Sequence, residues 1–298
     1  MPDFEAVRSA VAVELSSLLA RPLARGLYLV ATPIGNLGDI SVRALSVLAR
    51  ADLLYCEDTR HSRGLLDRYG IKRRLRSLHD HNESGELQTA LAELASGKSI
   101  AVISDAGTPL ISDPGFKLVR AALERDHRVF AIPGASAILA ALTSCGLPGD
   151  CFTFAGFLPV KAGQRLERLR ELAHVAGTLV FFEAPTRLAA TLSALAEVFG
   201  DACPAAVARE LTKQYEEMQR GALGDLKAWA AASRIRGEIV VAVAPGRDLD
   251  RIASDEEIIA ALAGEPASSL RDSVDAVAAG LRTSRKRVYD LALRSRKD

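Results

Sequence analysis

The sequence predicts an α/β protein made of two successive α/β domains and a small C-terminal helical, helix-turn-helix-like domain. Three observations carry this. Short apolar runs alternate with amphipathic stretches of helical length from Leu27 to Val243, the pattern of strands that return to a sheet through helices. Gly- and Pro-rich segments fall where strands hand over to helices. From Asp255 onward the strand-like runs stop, and the 298 residues exceed what one core usually organises.

Residues 3–20 read as an amphipathic helix ending near Pro22. Leu27 to Ala31 is a compact apolar strand, stopped by a turn-rich segment and followed by a helix from Ser41 to Arg50. Leu53 to Cys56 reads as a strand, Thr59 to Tyr69 as a helix, and Leu75 to Leu78 as a short strand. A helix from Gly85 to Ser96 leads into a strand over 100–104. Phe116 to Arg125 is the next helix and Val129 to Ile132 the next strand. Leu142 to Asp150 reads as a linker. Beyond it, strands are expected at Phe152–Phe154, Thr178–Phe182, Ala205–Ala208 and Glu238–Val243, with helices at Gln164–Leu172, Thr186–Phe199 and Asp225–Ala232. The close spacing of the later strands predicts some antiparallel pairing. Three short helices close the chain at 255–263, 270–280 and 284–294, the last two joined by a Gly-containing turn. The expected organisation is an N-terminal extension (1–25), α/β domains at 26–145 and 150–248, and a helical domain at 253–298.

Composition narrows the function classes. Thirty-eight Lys and Arg against 37 Asp and Glu leave a net charge of +1, which excludes a global electrostatic pull toward nucleic acid but not local basic patches. Aromatic residues at 5% argue against a broad stacking platform. Cys56, Cys145, Cys151 and Cys203 form no CxxC pair and read as small residues in a reducing compartment. No apolar run approaches membrane-spanning length, and the first 25 residues lack the basic start and apolar core of a secretion signal. A cytoplasmic protein with no membrane partner is expected.

Three loops carry the chemistry. TPIGNLGD (32–39) follows the first strand, SDAGTPLISDPG (104–115) follows the strand at 100–103, and IPGAS (132–136) opens a helix. Glycine permits close backbone approach, and a helix N-terminus offers free N–H groups. No GxxxxGK[ST] is present and no GxGxxG follows the first strand, which disfavours P-loop and dinucleotide sites. Three such loops on one sheet edge point to a small-ligand site of the kind an adenosine-type cofactor fills. Metal chemistry finds little support: His79 and His81 lack a third ligand at a signature spacing. Charged residues at strand ends are candidates for the site, because burying a charge without a partner is costly. They are Glu57, Asp58 and Arg60, Glu183, and Arg209, Glu210 and Lys213. Lys72, Arg73, Arg74 and Arg76, and Lys161, Arg165, Arg168 and Arg170, form two basic clusters suited to phosphate contact. Residues 282–297 hold seven basic residues against one acidic.

Together these segments resemble a known family. LYLVATPIGNLGDISVRALSVL, ADLLYCEDTRHSRGLL, SLHDHNE, SDAGTPLISDPG, IPGAS, FAGFLP, FFEAPTR, ARELTK and GEIVVAV are similar to the bacterial 16S ribosomal RNA cytidine 2'-O-methyltransferases of the tetrapyrrole methylase superfamily. The resemblance runs from about Gly26 to Arg247, and the terminal helices look like the small domain often attached to that family. It implies a homodimer that binds S-adenosylmethionine between its two α/β domains, with no metal. The substrate it implies is 16S rRNA in the 30S ribosomal subunit rather than DNA. Carried over by position, the cofactor residues are Pro33, Gly35, Asp105, Gly107, Thr108, Pro109, Ser136, Phe182, Ala208 and Pro245. The implied substrate-facing residues are Asn36, Glu57, Asp58 and Arg60, to which the basic clusters and terminal helices add Arg73, Arg74, Lys161, Arg165, Arg285 and Lys286. Glu183, Glu210 and Lys213 are the catalytic candidates. Either carboxylate can take the proton of a weakly acidic hydroxyl, and Lys213 can favour the developing charge or act as base. Relatives commonly carry His where this chain has Thr186, and the 25 N-terminal residues depart from the family's usual start. Two rival readings are a small-molecule methyltransferase of the same fold and a non-enzymatic ribosome- or nucleic-acid-binding protein.

Overall fold

The computed structural model describes residues 3–79, 83–244, 254–264, 269–281 and 283–295. The first sheet contains β1 (Gly26–Val30), β2 (Leu53–Cys56), β3 (Leu75–Ser77), β4 (Ser99–Ile103) and β5 (Val129–Ile132). Its order is β3-β2-β4-β1-β5, and every pairing is parallel. Successive side chains leave a strand on opposite faces, and both faces are covered. Tyr28, Val30, Leu54, Ala101 and Ile103 pack with Ala44, Val47 and Leu48 of α2 (Val42–Arg50). Leu27, Leu53, Tyr55, Ile100 and Val102 pack on the other face against α4 (Glu83–Ala95) and α5 (Phe116–Leu123). Burial on two sides explains the uninterrupted apolar strands. α3 (Thr59–Arg68) completes the layer, N-capped by Asp58. α1 (Phe4–Ala20) has no buried residue; it lies against α2, where Arg50 Nη1 donates to Leu18 O at 2.8 Å.

The second sheet is mixed. It contains β6 (Phe152–Phe157), β7 (Thr178–Glu183), β8 (Pro204–Arg209), β9 (Glu217–Ala222) and β10 (Ile239–Val243), in the order β6-β7-β10-β8-β9. β10 is antiparallel to both β7 and β8, and β9 is antiparallel to β8, as the strand spacing predicts. β9 was not expected. Its sequence, EMQRGA, has no apolar run because it is an edge strand, half-buried except at the exposed Arg220. α7 (Ala162–Leu172), α8 (Leu188–Phe199) and α9 (Leu223–Ala232) cover one face. The other face is covered by α6 (Ala137–Cys145), whose Ile138, Ala141, Leu142 and Cys145 pack on Val180, Ala206, Ala208, Val240 and Ala242.

That packing differs from the sequence reading in two respects. The expected linker is still helical to Cys145 and is ended by Gly146 at φ +80°, a left-handed cap. α6 also joins the second sheet's core, although its position in sequence groups it with the first. α10 (Asp255–Gly264), α11 (Leu270–Gly280) and α12 (Arg285–Arg294) form their own small core around Ile258, Val274, Val277, Val288 and Leu291. Among the described residues no helix is long and apolar enough to cross a membrane.

Candidate active site

β1 and β4 are neighbours, and the chain leaves them in opposite directions, toward β2 and β5. A crevice opens at such a switch point, beyond the C-terminal ends of the strands. The loops that follow are stitched together there. Thr32 and Gly107 exchange both backbone hydrogen bonds, at 2.9 and 3.1 Å. Thr32 Oγ1 donates to Ser104 O at 3.1 Å, and Thr108 Oγ1 donates to Ala135 O at 3.3 Å. One rigid rim thus contains all three Gly-rich loops.

The second sheet faces this rim across a cavity of about 440 Å³, within the range that holds a cofactor-sized ligand. Asp105, Gly107, Thr108, Ser136, Phe182 and Ala208, all expected at a cofactor site, line it. Pro33 and Gly35 line a smaller adjoining cavity, and Pro109 is buried beside Cys56 and Asp113. Pro245 lies outside the described residues. Gly107, at φ +85°, leaves bare backbone at the rim, where a Cβ would lie 3.1 Å from Ile34 Cγ2.

Glu183 also lines the large cavity but is 3% exposed and fully engaged. Its Oε1 accepts from Ala184 N–H at 2.8 Å and lies 3.3 Å from Arg187 Nε, and its Oε2 accepts from Thr191 Oγ1 at 2.5 Å. Arg187 Nη2 donates in turn to Leu158 O at 2.5 Å. This geometry suits an anchor for the turn at Ala184–Pro185 rather than an open base.

Glu210 and Lys213, both catalytic candidates from the sequence, are bonded to each other. Lys213 Nζ donates to Glu210 Oε1 at 2.8 Å and to Glu238 Oε2 at 3.0 Å. Glu210 Oε1 also accepts from Glu238 N–H at 2.9 Å. Partial burial pulls the Lys213 ammonium down, but the two carboxylates outweigh it and hold its pKa above the ordinary value. The bond from Lys213, with that from Glu238 N–H, holds the Glu210 carboxyl below its own. Glu210 and Thr212 take left-handed φ of +52° and +66°, strain of the kind that gathers at functional loops. Two glycines make room. A Cβ on Gly35 (φ +149°) would lie 2.3 Å from Lys213 Cγ, and one on Gly237 (φ +92°) 2.4 Å from Glu210 Oε1. Asn36 N–H donates to Thr212 Oγ1 at 3.2 Å, so the first loop is held against this strained segment.

Asp113 was not singled out from sequence. It lines the large cavity, and its Oδ2 is buried with no hydrogen-bond partner among the described residues. Burial first, then the charges of Glu57 and Asp105, push its pKa up to about 6, against a lowering bond from Ser104. A carboxyl raised from 3.8 binds its proton more tightly folded than unfolded. Its contribution to stability is therefore present below the unfolded value and lost as pH rises through the folded one. Asp113→Asn should raise the melting temperature at pH 8, with the gain fading toward pH 4; thermal unfolding across that range checks it.

Several residues expected at phosphates are committed within the fold. Arg73 donates through Nε to Ala49 O at 2.8 Å and through Nη2 to the same carbonyl, at the end of α2. Arg165 is buried and donates to Val160 O at 3.2 Å. Arg285 Nε lies 2.5 Å from Asp275 Oδ1. Arg60 folds back on Asp58, whose own N–H donates to Asp105 Oδ1 at 3.2 Å. Arg74, Lys161 and Lys286 are exposed, as are Glu57 and Asn36. A charge-assisted hydrogen bond from a part-buried guanidinium such as that of Arg73 stabilises by about 1.5–3 kcal/mol. Arg73→Ala should therefore lower stability by about that amount in urea titration.

Comparison with known proteins identifies this architecture. The model of the tetrapyrrole (corrin/porphyrin) methylases matches residues 26–227. Ribosomal RNA small subunit methyltransferase I of Mesorhizobium japonicum is 56% identical over 252 residues, covering 84% of this chain and 86% of that protein. The protein of the same description from Xylella fastidiosa is 50% identical over 226 residues, 75% of this chain and 83% of that one. A crystal structure of uroporphyrin-III C-methyltransferase from Thermus thermophilus, complexed with S-adenosylhomocysteine, superposes with a TM-score of 0.54 at 18% identity. It covers 74% of this chain and 97% of that one, and shares the fold. The chain is a methyltransferase. It belongs to the tetrapyrrole methylase family, and within it groups with the small-subunit rRNA methyltransferases I.

Proposed function

We propose that the protein transfers a methyl group from S-adenosylmethionine to the 2'-oxygen of a cytidine ribose in 16S rRNA. It acts in the cytoplasm, as a homodimer, on the assembled 30S subunit. The observation that carries this is 56% identity over 84% of the chain to a protein described as a small-subunit rRNA methyltransferase. The residues present fit the cofactor. Bare backbone at Gly107, apolar walls from Ile34, Ile138, Phe182 and Val240, and the carboxylates of Asp105 and Asp113 suit an adenosine joined to a cationic tail.

When bound, S-adenosylmethionine supplies a methyl group on a cationic sulfur, so alignment of the attacking oxygen provides much of the rate. The chain's own residues do the rest. Lys213, kept protonated between Glu210 and Glu238, is a fixed cation that favours negative charge building on a ribose oxygen. Asp105 borders both cavities and is the carboxylate that takes the hydroxyl proton. Glu183 and Arg187 hold the Ala184–Pro185 wall in place. The exposed cations Arg74 and Lys161, with Lys286 and Arg294 beside a groove on α12, meet the phosphate backbone, so binding should weaken as salt rises.

The test uses methyl-labelled cofactor with 30S subunits from cells lacking the protein, followed by nucleoside mapping. Label recovered as 2'-O-methylcytidine at one position is the expected result. Unlabelled subunits, despite cofactor binding in calorimetry, would overturn the proposal.

A further inference from the structure

The smaller cavity shares a wall with the larger one. It holds about 200 Å³, below the range that suits a cofactor-sized ligand. Ile34, Asp105, Ala106 and Glu238 border both spaces, so a group in the smaller one meets the larger across those residues. Its other walls are of two kinds. Leu37 and Leu65 are apolar, one on the turn after β1 and the other on α3. Lys213 and His61 are polar and come from opposite sides of the cleft. The His61 side chain is exposed at the first turn of α3, and no hydrogen bond to its imidazole is found among the described residues. His61 has no marked partner nearby in sequence, because most of its neighbours in the cavity lie on distant segments.

We infer that this cavity takes a single unpaired nucleotide of the acceptor RNA, an assignment that rests on the function proposed above. The observations favour a nucleotide in three ways. The space admits one nucleoside and excludes a macrocycle. The apolar side chains of Leu37 and Leu65 in its lining suit the face of a base turned out of its strand, the form in which single-stranded RNA is read. Asp105 stands at the shared wall and Lys213 lines the smaller cavity, bonded to Glu238 of that wall, so a ribose hydroxyl there can hydrogen-bond to one and lie close to the other. His61, at the outer side, supplies a hydrogen bond to the base edge or to the 3' phosphate. Glu238 holds Lys213 in place from the shared wall, which makes it a positioning residue.

The test compares wild type with Leu65→Trp, which fills the smaller cavity from α3, and with His61→Ala, an exposed change that leaves packing untouched. Three readouts are taken on the full chain. Calorimetry with S-adenosylhomocysteine reports the larger cavity and should change by less than twofold in both variants. Saturation-transfer NMR with cytidine 5'-monophosphate as probe should give a signal in wild type that Leu65→Trp abolishes and His61→Ala reduces. Methyl transfer to unmodified 30S subunits should fall at least 50-fold in Leu65→Trp and about 10-fold, mainly through KM, in His61→Ala. Equal nucleotide signals in wild type and Leu65→Trp, or wild-type transfer by Leu65→Trp, would overturn the assignment of the cavity. If wild type itself binds the nucleotide in this cavity yet methylates no RNA, the proposed reaction fails while the pocket stands.

Discussion

Replacing Lys213 with methionine is expected to lower kcat for methyl transfer by about 10²- to 10³-fold, the usual cost of removing a preorganised charge from a reacting oxygen. Cofactor affinity should change by less than threefold, because Lys213 lines the smaller cavity and not the larger one. Methionine keeps the stem that lies over Gly35 and removes only the ammonium. Arginine should not restore activity, since its planar fork cannot occupy a cradle shaped for a narrow aliphatic chain. The substitution also carries a pH signature. Glu210 is held below its ordinary pKa chiefly by Lys213. A depressed carboxyl stabilises the fold above its unfolded value, and that contribution is lost as pH falls through the folded one. The stability gap between wild type and Lys213→Met should therefore be widest at neutral pH and close in acid. Retention of more than a tenth of kcat would show that the ammonium does not face the reacting oxygen.

Glu183→Ala should have the largest effect on stability. The carboxylate is buried, and Arg187, Thr191 and the Ala184 N–H all depend on it. Removing one partner of a buried ion pair costs about 3–5 kcal/mol, because the other charge is left uncompensated. In a protein of this size that corresponds to a fall of about 10 °C in melting temperature. Glu183→Gln should lose less, since its amide can still bond Thr191 and the Ala184 N–H. The cofactor dissociation constant should rise in Glu183→Ala as well, because Ala184 and Pro185 line the large cavity. The opposite result is equally informative. Unchanged stability with abolished transfer would make Glu183 the proton acceptor, as its position at a strand end first implied.

The contrast between those two expectations marks where the sequence stopped being readable. β1, β2, β4 and β10 announce themselves because strands buried on both faces are unbroken apolar runs. β9 does not, since an edge strand paired on one side needs no such run. The three loops of the site are legible because backbone must turn and approach a ligand there, and few residues besides Gly and Pro serve. The roles of charged side chains are not. Glu183 looks like a base at a strand end until Arg187 and Thr191 fold over it from α8. Arg73, Arg165 and Arg285 look like phosphate ligands until their carbonyl and carboxylate partners are placed. Glu238, Asp113 and His61 gain meaning only from segments far away in the chain, and no local pattern marks such pairings.

The position of α6 has a consequence for how the protein comes into being. The helix is synthesised early, but the strands that cover its apolar face, β8 and β10, emerge much later, and β10 is the middle strand of its sheet. A nascent chain can close its first sheet while still attached to the ribosome, yet the surface that covers Ile138, Ala141 and Leu142 is incomplete until β10 arrives between β7 and β8. The binding cleft consequently has no partly working precursor. Truncation before Ile239 should yield a sticky, chaperone-dependent product rather than a weak enzyme, and the last strand laid down switches the whole site on.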